Sequence, residues 1–256
     1  MLRIKFMANY IGLHIGHNAS VALMINGKIE YCFQEERFVK IKNYCGFPMQ
    51  SLNFLEQYIK SKNIKIDEIG ISSKEISLFM LKYPIHHFFS IEEYHNFYGK
   101  DFYEKIIQGK NVSNYIKNLS KDKRFKNYKS IYSKASNSKI LDSFADYRNI
   151  SLNYLRKNHP FISNKINFLD HHTCHAHYGR FAINSKNREK SCTVVIDSYG
   201  DRNNQTLWID EGKGNLRNIL KNNQCEIARI YKFVTLILNM KPEEHEFKVM
   251  GMAPYG

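Results

Sequence analysis

Residues 11–36 read IGLHIGHNASVALMINGKIEYCFQEE, and the order of apolar runs and turn residues in this stretch decides the fold class. IGLHI is an apolar run that breaks at a polar elbow from Gly16 to Ser20. SVALMI and KIEYCFQEE then flank Asn26 and Gly27, and Asn-Gly between two apolar runs is the strongest short-range signal for a hairpin. Behind Pro48, Leu52, Leu55 and Ile59 recur at helical spacing, which predicts a helix over Met49 to Lys60. IDEIGISSK (66–74) returns as a short strand, so the opening order is β-β-β-α-β.

A related pattern begins near residue 192. CTVVIDS is an apolar strand closing on Asp197, GDRNNQ is an elbow, and TLWID and NLRNIL flank a turn at Gly212 to Gly214. Ile227 to Met240 is apolar and helix-like. Two copies of strand, elbow and hairpin point to a duplicated α/β architecture whose elbows face one cleft, the arrangement of actin-like phosphotransferases. Residues 85–165, rich in Lys, Tyr, Phe and Ser, carry helix-like runs around Phe102 to Ile116 and Ile140 to Leu155 and read as a helical insertion over the cleft. The wholly polar SKNREKS (185–191) marks a boundary. The expected division is therefore a first subdomain at 1–84, an insertion with a metal-binding helix at 85–190, and the start of a second subdomain at 191–256.

Bulk properties narrow the function class. Lys5, Asn9, His14 and His17 interrupt every early apolar run, so neither a leader nor a membrane span is expected and the chain reads as cytoplasmic. Its 5 cysteines show no CxxC spacing, which argues against a disulfide framework or thiolate zinc site. The net charge of +14 would attract nucleic acid, an anionic membrane or phosphate-bearing ligands. Much of the excess lies between Lys100 and Lys165. No RNP, zinc-finger or helix-turn-helix motif accompanies it, and a solvated basic face is preferred to a nucleic-acid surface.

LDHHTCHAHYG (169–179) concentrates 4 of the chain's 11 histidines. On a helix, His171 and His175 lie one turn apart and can aim imidazole nitrogens at one cation, while His172 and His177 point elsewhere. Two imidazoles need further ligands. Asp197, ending an apolar strand, is the best local third, with Asp201 competing for that role. Iron, zinc and manganese all suit such a set. Gly200 would let a phosphate approach backbone amides. In the first elbow (Gly16, His17, Asn18, Ala19, Ser20), His17 is a candidate general base, or else a turn histidine. Downstream, Glu35 and Glu36 beside Arg37, Lys40 and Lys42 suit a phosphate or carbonyl clamp, or else an exposed strand end.

Together these stretches resemble the NodU/CmcH-type O-carbamoyltransferases. Residues 11–48 resemble the family's amino-terminal signature, DHHTCHAH its DHHxxHA block, VVIDSYGD its second-strand aspartate motif, and LILNMKPEEHEFKVMGMAPYG its GKVMGLAPYG segment. The likeness covers residues 10–48 and 168–256. It implies an actin-like domain related to the tRNA threonylcarbamoyl-transfer enzymes, and a metal with carbamoyl-adenylate in its cleft. Carbamoyl phosphate and ATP would form that adenylate on a YrdC-like carboxy-terminal domain, and the carbamoyl group would pass to a hydroxyl of a sugar, glycan or natural product. Carried onto this chain, His171, His175 and Asp197 become metal ligands, His17 stands beside the acceptor hydroxyl, and Lys42 beside the adenylate. Gly16, Asn18 and Gly200 join Lys42 as candidate cofactor contacts. Two positions depart from the pattern: Ser198 replaces a usual glycine, and His245 stands in a generally acidic stretch. Because the sequence stops after MAPYG, the resemblance leads us to expect that a late aspartate ligand and the YrdC-like domain come from elsewhere, such as another chain, and that this chain alone is inactive. The alternatives are a catalytically incomplete nucleotide- or metal-binding subunit and, less favoured, a basic tRNA-binding protein.

Overall fold

The computed structural model describes residues 8–74, 90–96, 152–153, 155–159, 165–182, 190–212, 214–242 and 244–256. It is a mixed α/β structure whose contacts divide into two units, one of 1–88 with 101–169 and one of 89–100 with 170–256. Among the described residues, no helix is long and apolar enough to cross a membrane. Most of the insertion, including Phe102 to Ile116 and the greater part of Ile140 to Leu155, lies outside the described residues.

In the first unit β1 (Asn9–His14), β3 (Ser20–Ile25) and β4 (Lys28–Gln34) form an antiparallel meander, and β2 (Gly16–His17) is the elbow between the first two. Asn26 and Gly27 both take positive φ, 51° and 79°, as a hairpin turn matched to strand twist requires. Two parallel strands, β6 (Glu68–Ile71) and β7 (Lys165–Phe168), extend the sheet in the order β4-β3-β1-β6-β7. β7 was not foreseen. Its four residues, KINF, are too short to show a period, and only pairing with β6 makes them a strand.

The helix α2 (Met49–Ser61) covers this sheet. Leu52, Leu55 and Ile59 bury against Ile11, Leu13, Val21, Leu23, Ile69 and Ile71, the apolar stripe that the spacing predicted. On the same stripe the Glu56 carboxylate is met by His159 Nδ1 at 2.8 Å and Lys60 Nζ at 2.7 Å. Pro48 precedes α2 and offers no side-chain cap. Glu35, only 1% exposed, supplies one from a distance: its carboxylate accepts from the amides of Gln50 and Ser51, each at 2.8 Å, and from Ser51 Oγ at 2.6 Å. Glu36, at the start of α1 (Glu36–Val39), accepts from the Asn43 amide at 2.7 Å. Both carboxylates of the acidic pair considered for a ligand clamp thus accept from backbone amides, Glu35 from orphan donors at the head of α2 and Glu36 from the loop after α1.

The second unit repeats the meander as β8 (Ser191–Gly200), β9 (Asn203–Asp210) and β10 (Leu216–Asn222), in the order β10-β9-β8. α4 (His171–Ala182) lies on β8 and β9, where Ala176 packs with Val195 and Trp208. α5 (Ile227–Ile237) follows, with α3 (Ile91–Asn96) and α6 (Glu246–Met252) against it. The expected elbow GDRNNQ is shorter than anticipated, since Asn203 already pairs with Gly200 across the β8–β9 connection.

Replacing Glu35 with Ala should strand three donors at the head of α2 and lower the unfolding free energy by about 2–3 kcal/mol, read from urea melts. A loss below about 0.5 kcal/mol would refute the remote cap.

Candidate functional site

α4 begins where two aspartates meet its unpaired amides. Asp170 Oδ1 accepts from the amide and hydroxyl of Thr173, both at 2.9 Å, and Asp201 Oδ2 accepts from the His171 amide at 2.6 Å. Asp201, considered above as a competing ligand, is therefore a helix-capping residue. Gly200 lies against the His171 ring: a Cβ built there would stand 2.1 Å from His171 Cδ2 and 2.9 Å from Nε2. The Cβ side of this glycine is thus taken up by the imidazole of His171.

His171 and His175, one turn apart, bring their Nε2 atoms within 3.0 Å of each other, and Asp197 Oδ2 lies 2.8 Å from His171 Nε2. Asp197 does not end its strand. β8 runs on to Gly200, and its pairing with β9 slips between Ile196 and Gly200, so an irregularity in the ladder carries Asp197. Its other oxygen, Oδ1, accepts from the Ser198 amide at 2.6 Å, and Arg229 Nε on α5 donates to the Ser198 carbonyl at 2.9 Å.

Among the described residues, His171, His175 and Asp197 form the group that could hold a metal ion, with ligand atoms all within 4.8 Å of one another. Hydrogen bonding alone serves them poorly. A neutral His171 has one N–H; placed on Nε2 it must serve both the carboxylate and His175, and placed on Nδ1 it leaves a lone pair facing Asp197. Ligand atoms about 2.1 Å from a shared cation are about 3.0 Å apart when they subtend a right angle, close to the separations seen here. The donor set fits iron, zinc or manganese.

Electrostatics favour a charged carboxylate at Asp197 and neutral rings at His175 and His172. Burial raises the Asp197 carboxyl, but the His171 hydrogen bond and charge, with the Ser198 amide, more than offset it and hold the group below its ordinary value. Desolvation, then the charge of His171, pushes His175 down. Burial does the same to His172, against the Asn203 carbonyl. His172 points into β9 and His177 stacks on Phe181, its ring centroid 5.8 Å away. Burial also raises the Cys174 thiol to about 11, which keeps it protonated and unreactive.

The remaining sequence candidates lie in the first unit. β2 pairs with β5 (Cys45–Gly46), Gly16 opposite Gly46 and His17 opposite Cys45, which sets the first elbow beside the loop that carries exposed Lys42. Gly16 and Asn18 take positive φ of 129° and 56° and turn the chain there. His14 Nε2 donates to the His17 carbonyl at 2.8 Å, with Ser72 Oγ 2.7 Å from Nδ1.

Residues 9–256 match the family model described as the carbamoyltransferase N-terminus. This chain belongs to that carbamoyltransferase family. An uncharacterized protein of Synechocystis sp. is 23% identical over 248 residues, covering 94% of this chain and 33% of that protein. An uncharacterized protein of Methanocaldococcus jannaschii is 35% identical over 60 residues, 23% of this chain and 12% of that protein. This chain thus spans about a third of the length of the first relative. Sequence reasoning about it missed the Asp170 and Asp201 caps, the irregularity at Asp197 and the packing role of Gly200. It also passed over Thr206 and Trp208, whose alternation with Asn204 and Asp210 along β9 was visible in the sequence.

His172 and His175 both sit below the ordinary imidazole value when folded. Stability from keeping them neutral is fully present above the unfolded value of about 6.5 and is lost as pH falls through their depressed values. Metal-free protein should therefore melt at a lower temperature at pH 5.5 than at pH 7.5. Equal melting temperatures would contradict the neutral-ring assignment.

Proposed function

We propose that this chain is the carbamoyl-transfer part of an O-carbamoyltransferase, with an actin-like fold and a divalent cation held by His171, His175 and Asp197. The convergence of two imidazole nitrogens and a carboxylate oxygen at a capped helix start is the observation that carries this reading, and family membership supplies the reaction class. The substrates are carbamoyl-adenylate, formed from carbamoyl phosphate and ATP, and a hydroxyl-bearing acceptor such as a sugar or glycan. Adenylate formation falls to a YrdC-like domain in the same protein or on another chain.

A cation at this site would polarise the carbamoyl carbonyl or neutralise phosphate charge. The protein's own groups do the rest. Asp197, kept ionised, and the two neutral imidazoles supply lone pairs. His17, in the elbow of the first unit, takes the proton of the attacking hydroxyl, and Lys42 balances adenylate charge. Gly16 and Asn18 shape the elbow around the nucleotide. The duplicated meander supports the actin-like assignment, because each copy sets an elbow directly after its first strand.

Purified protein should take up Fe(II), Zn(II) or Mn(II), and His171→Ala, His175→Ala and Asp197→Asn should each weaken uptake by at least about 10-fold. Gly200→Ala should do the same without replacing a ligand, since the new methyl displaces the His171 ring. With an adenylate-forming domain, carbamoyl phosphate, ATP and a panel of hydroxyl acceptors, the wild type should yield carbamoylated product and the ligand variants should not. Undiminished transfer by His171→Ala would sink the assignment.

A further inference from the structure

The buried face of β9 is polar, and it grips α4. Four residues alternate along that face: Asn204, Thr206 and Asp210 are 0% exposed, and Trp208 is 6% exposed. Asn204 holds the backbone of Cys225 through both its amide nitrogen and its carbonyl oxygen. Asp210 receives Arg180 Nε, from the far end of α4, at 2.8 Å. Thr206 serves the near end.

The directions in this chain of bonds are fixed by chemistry. Trp208 Nε1 can only donate, so Thr206 Oγ1, 2.9 Å away, accepts from it. The Asn203 carbonyl can only accept, so His172 Nε2, 3.0 Å away, carries a hydrogen. The hydroxyl hydrogen of Thr206 then goes to His172 Nδ1 at 3.2 Å. Both ring nitrogens of His172 are occupied, and the ring, 0% exposed, has a single tautomer.

His172 follows His171 directly on α4, about 100° round the helix. While it holds β9, His171 and His175 face Asp197 on β8. Among the described residues, the buried apolar side chain that α4 contributes is the methyl of Ala176, against Val195 and Trp208, and so small a knob does little to stop rotation. A ring nitrogen about 6 Å from the helix axis moves about 1 Å for each 10° of rotation, whereas metal–ligand distances tolerate about 0.2 Å. Rotation of α4 therefore has to be set by its polar bonds.

We infer that the Trp208–Thr206–His172–Asn203 chain is a positioning device that fixes the rotation of α4 and so sets the affinity and geometry of the cation site. His172, Thr206 and Trp208 act through the ligands without touching the ion. This inference rests on the cation reading above.

Thr206→Val removes the hydroxyl at nearly constant shape, and Thr206→Ser restores it. Metal affinity by chelator competition, the visible spectrum of the Co(II) form and the melting temperature are measured for wild type and both variants. Thr206→Val should bind about 10–100-fold more weakly with an altered Co(II) spectrum, and Thr206→Ser should recover both. Wild-type affinity and spectrum in Thr206→Val would overturn the inference, whatever its melting temperature. Should Thr206→Val not fold, His172→Gln, which retains a donor toward Asn203 and loses the acceptor toward Thr206, is read in the same way. Absence of metal uptake by wild type overturns both readings. Uptake that is normal in wild type and variants alike removes the positioning role alone.

Discussion

The close approach of the His171 ring to Gly200 is the constraint on which the rest of the second unit depends. A side chain at position 200 would occupy the volume of the ring, so the backbone of β8 must be bare where α4 begins. That bareness lets the Asp201 carboxylate reach the His171 amide and lets Nε2 reach Asp197. A helix start is ordinarily a place of unpaired donors. Here one of its two capping groups, Asp201, follows directly on the strand that also presents the Asp197 carboxylate, so one stretch, Asp197 to Asp201, both caps the helix and faces its histidines.

Much of this was legible in the sequence, where local chemistry dictates local structure. Asn26 and Gly27 announce their turn because few other residues tolerate two positive φ values. Leu52, Leu55 and Ile59 announce α2 because burial needs one face. His171 and His175 could be paired from spacing alone, since four residues make one turn. What escaped depends on contacts distant in sequence: β7 exists through β6, Glu35 caps a helix 14 residues further on, and His172 is defined by a strand about 30 residues later. Asp197 was found for an incomplete reason. It is presented by a slip in strand pairing, which no count of apolar residues reveals.

Both units solve a similar problem with different parts. An elbow turns the chain sharply, and in each unit an imidazole donates to a carbonyl there. In the first unit the His17 carbonyl accepts from His14 Nε2, with a Ser72 hydroxyl at the opposite nitrogen; in the second the Asn203 carbonyl accepts from His172 Nε2, with a Thr206 hydroxyl in the matching place. One imidazole comes from a strand and the other from a helix. A neutral histidine suits the task because it has one donor and one acceptor on opposite sides of a rigid ring. The shared solution need not descend from a shared ancestral residue, because the two histidines occupy different elements.

The loop around Lys42 is tied down at short intervals: the Lys40 amide to the Glu36 carbonyl, the Asn43 amide to the Glu36 carboxylate, the Ala19 amide to the Tyr44 carbonyl, and β5 to β2. A segment anchored so often does not swing open and shut as a flap. Charge at this rim is therefore carried on a fixed mooring, and an arriving anion would meet it without waiting for a lid to close.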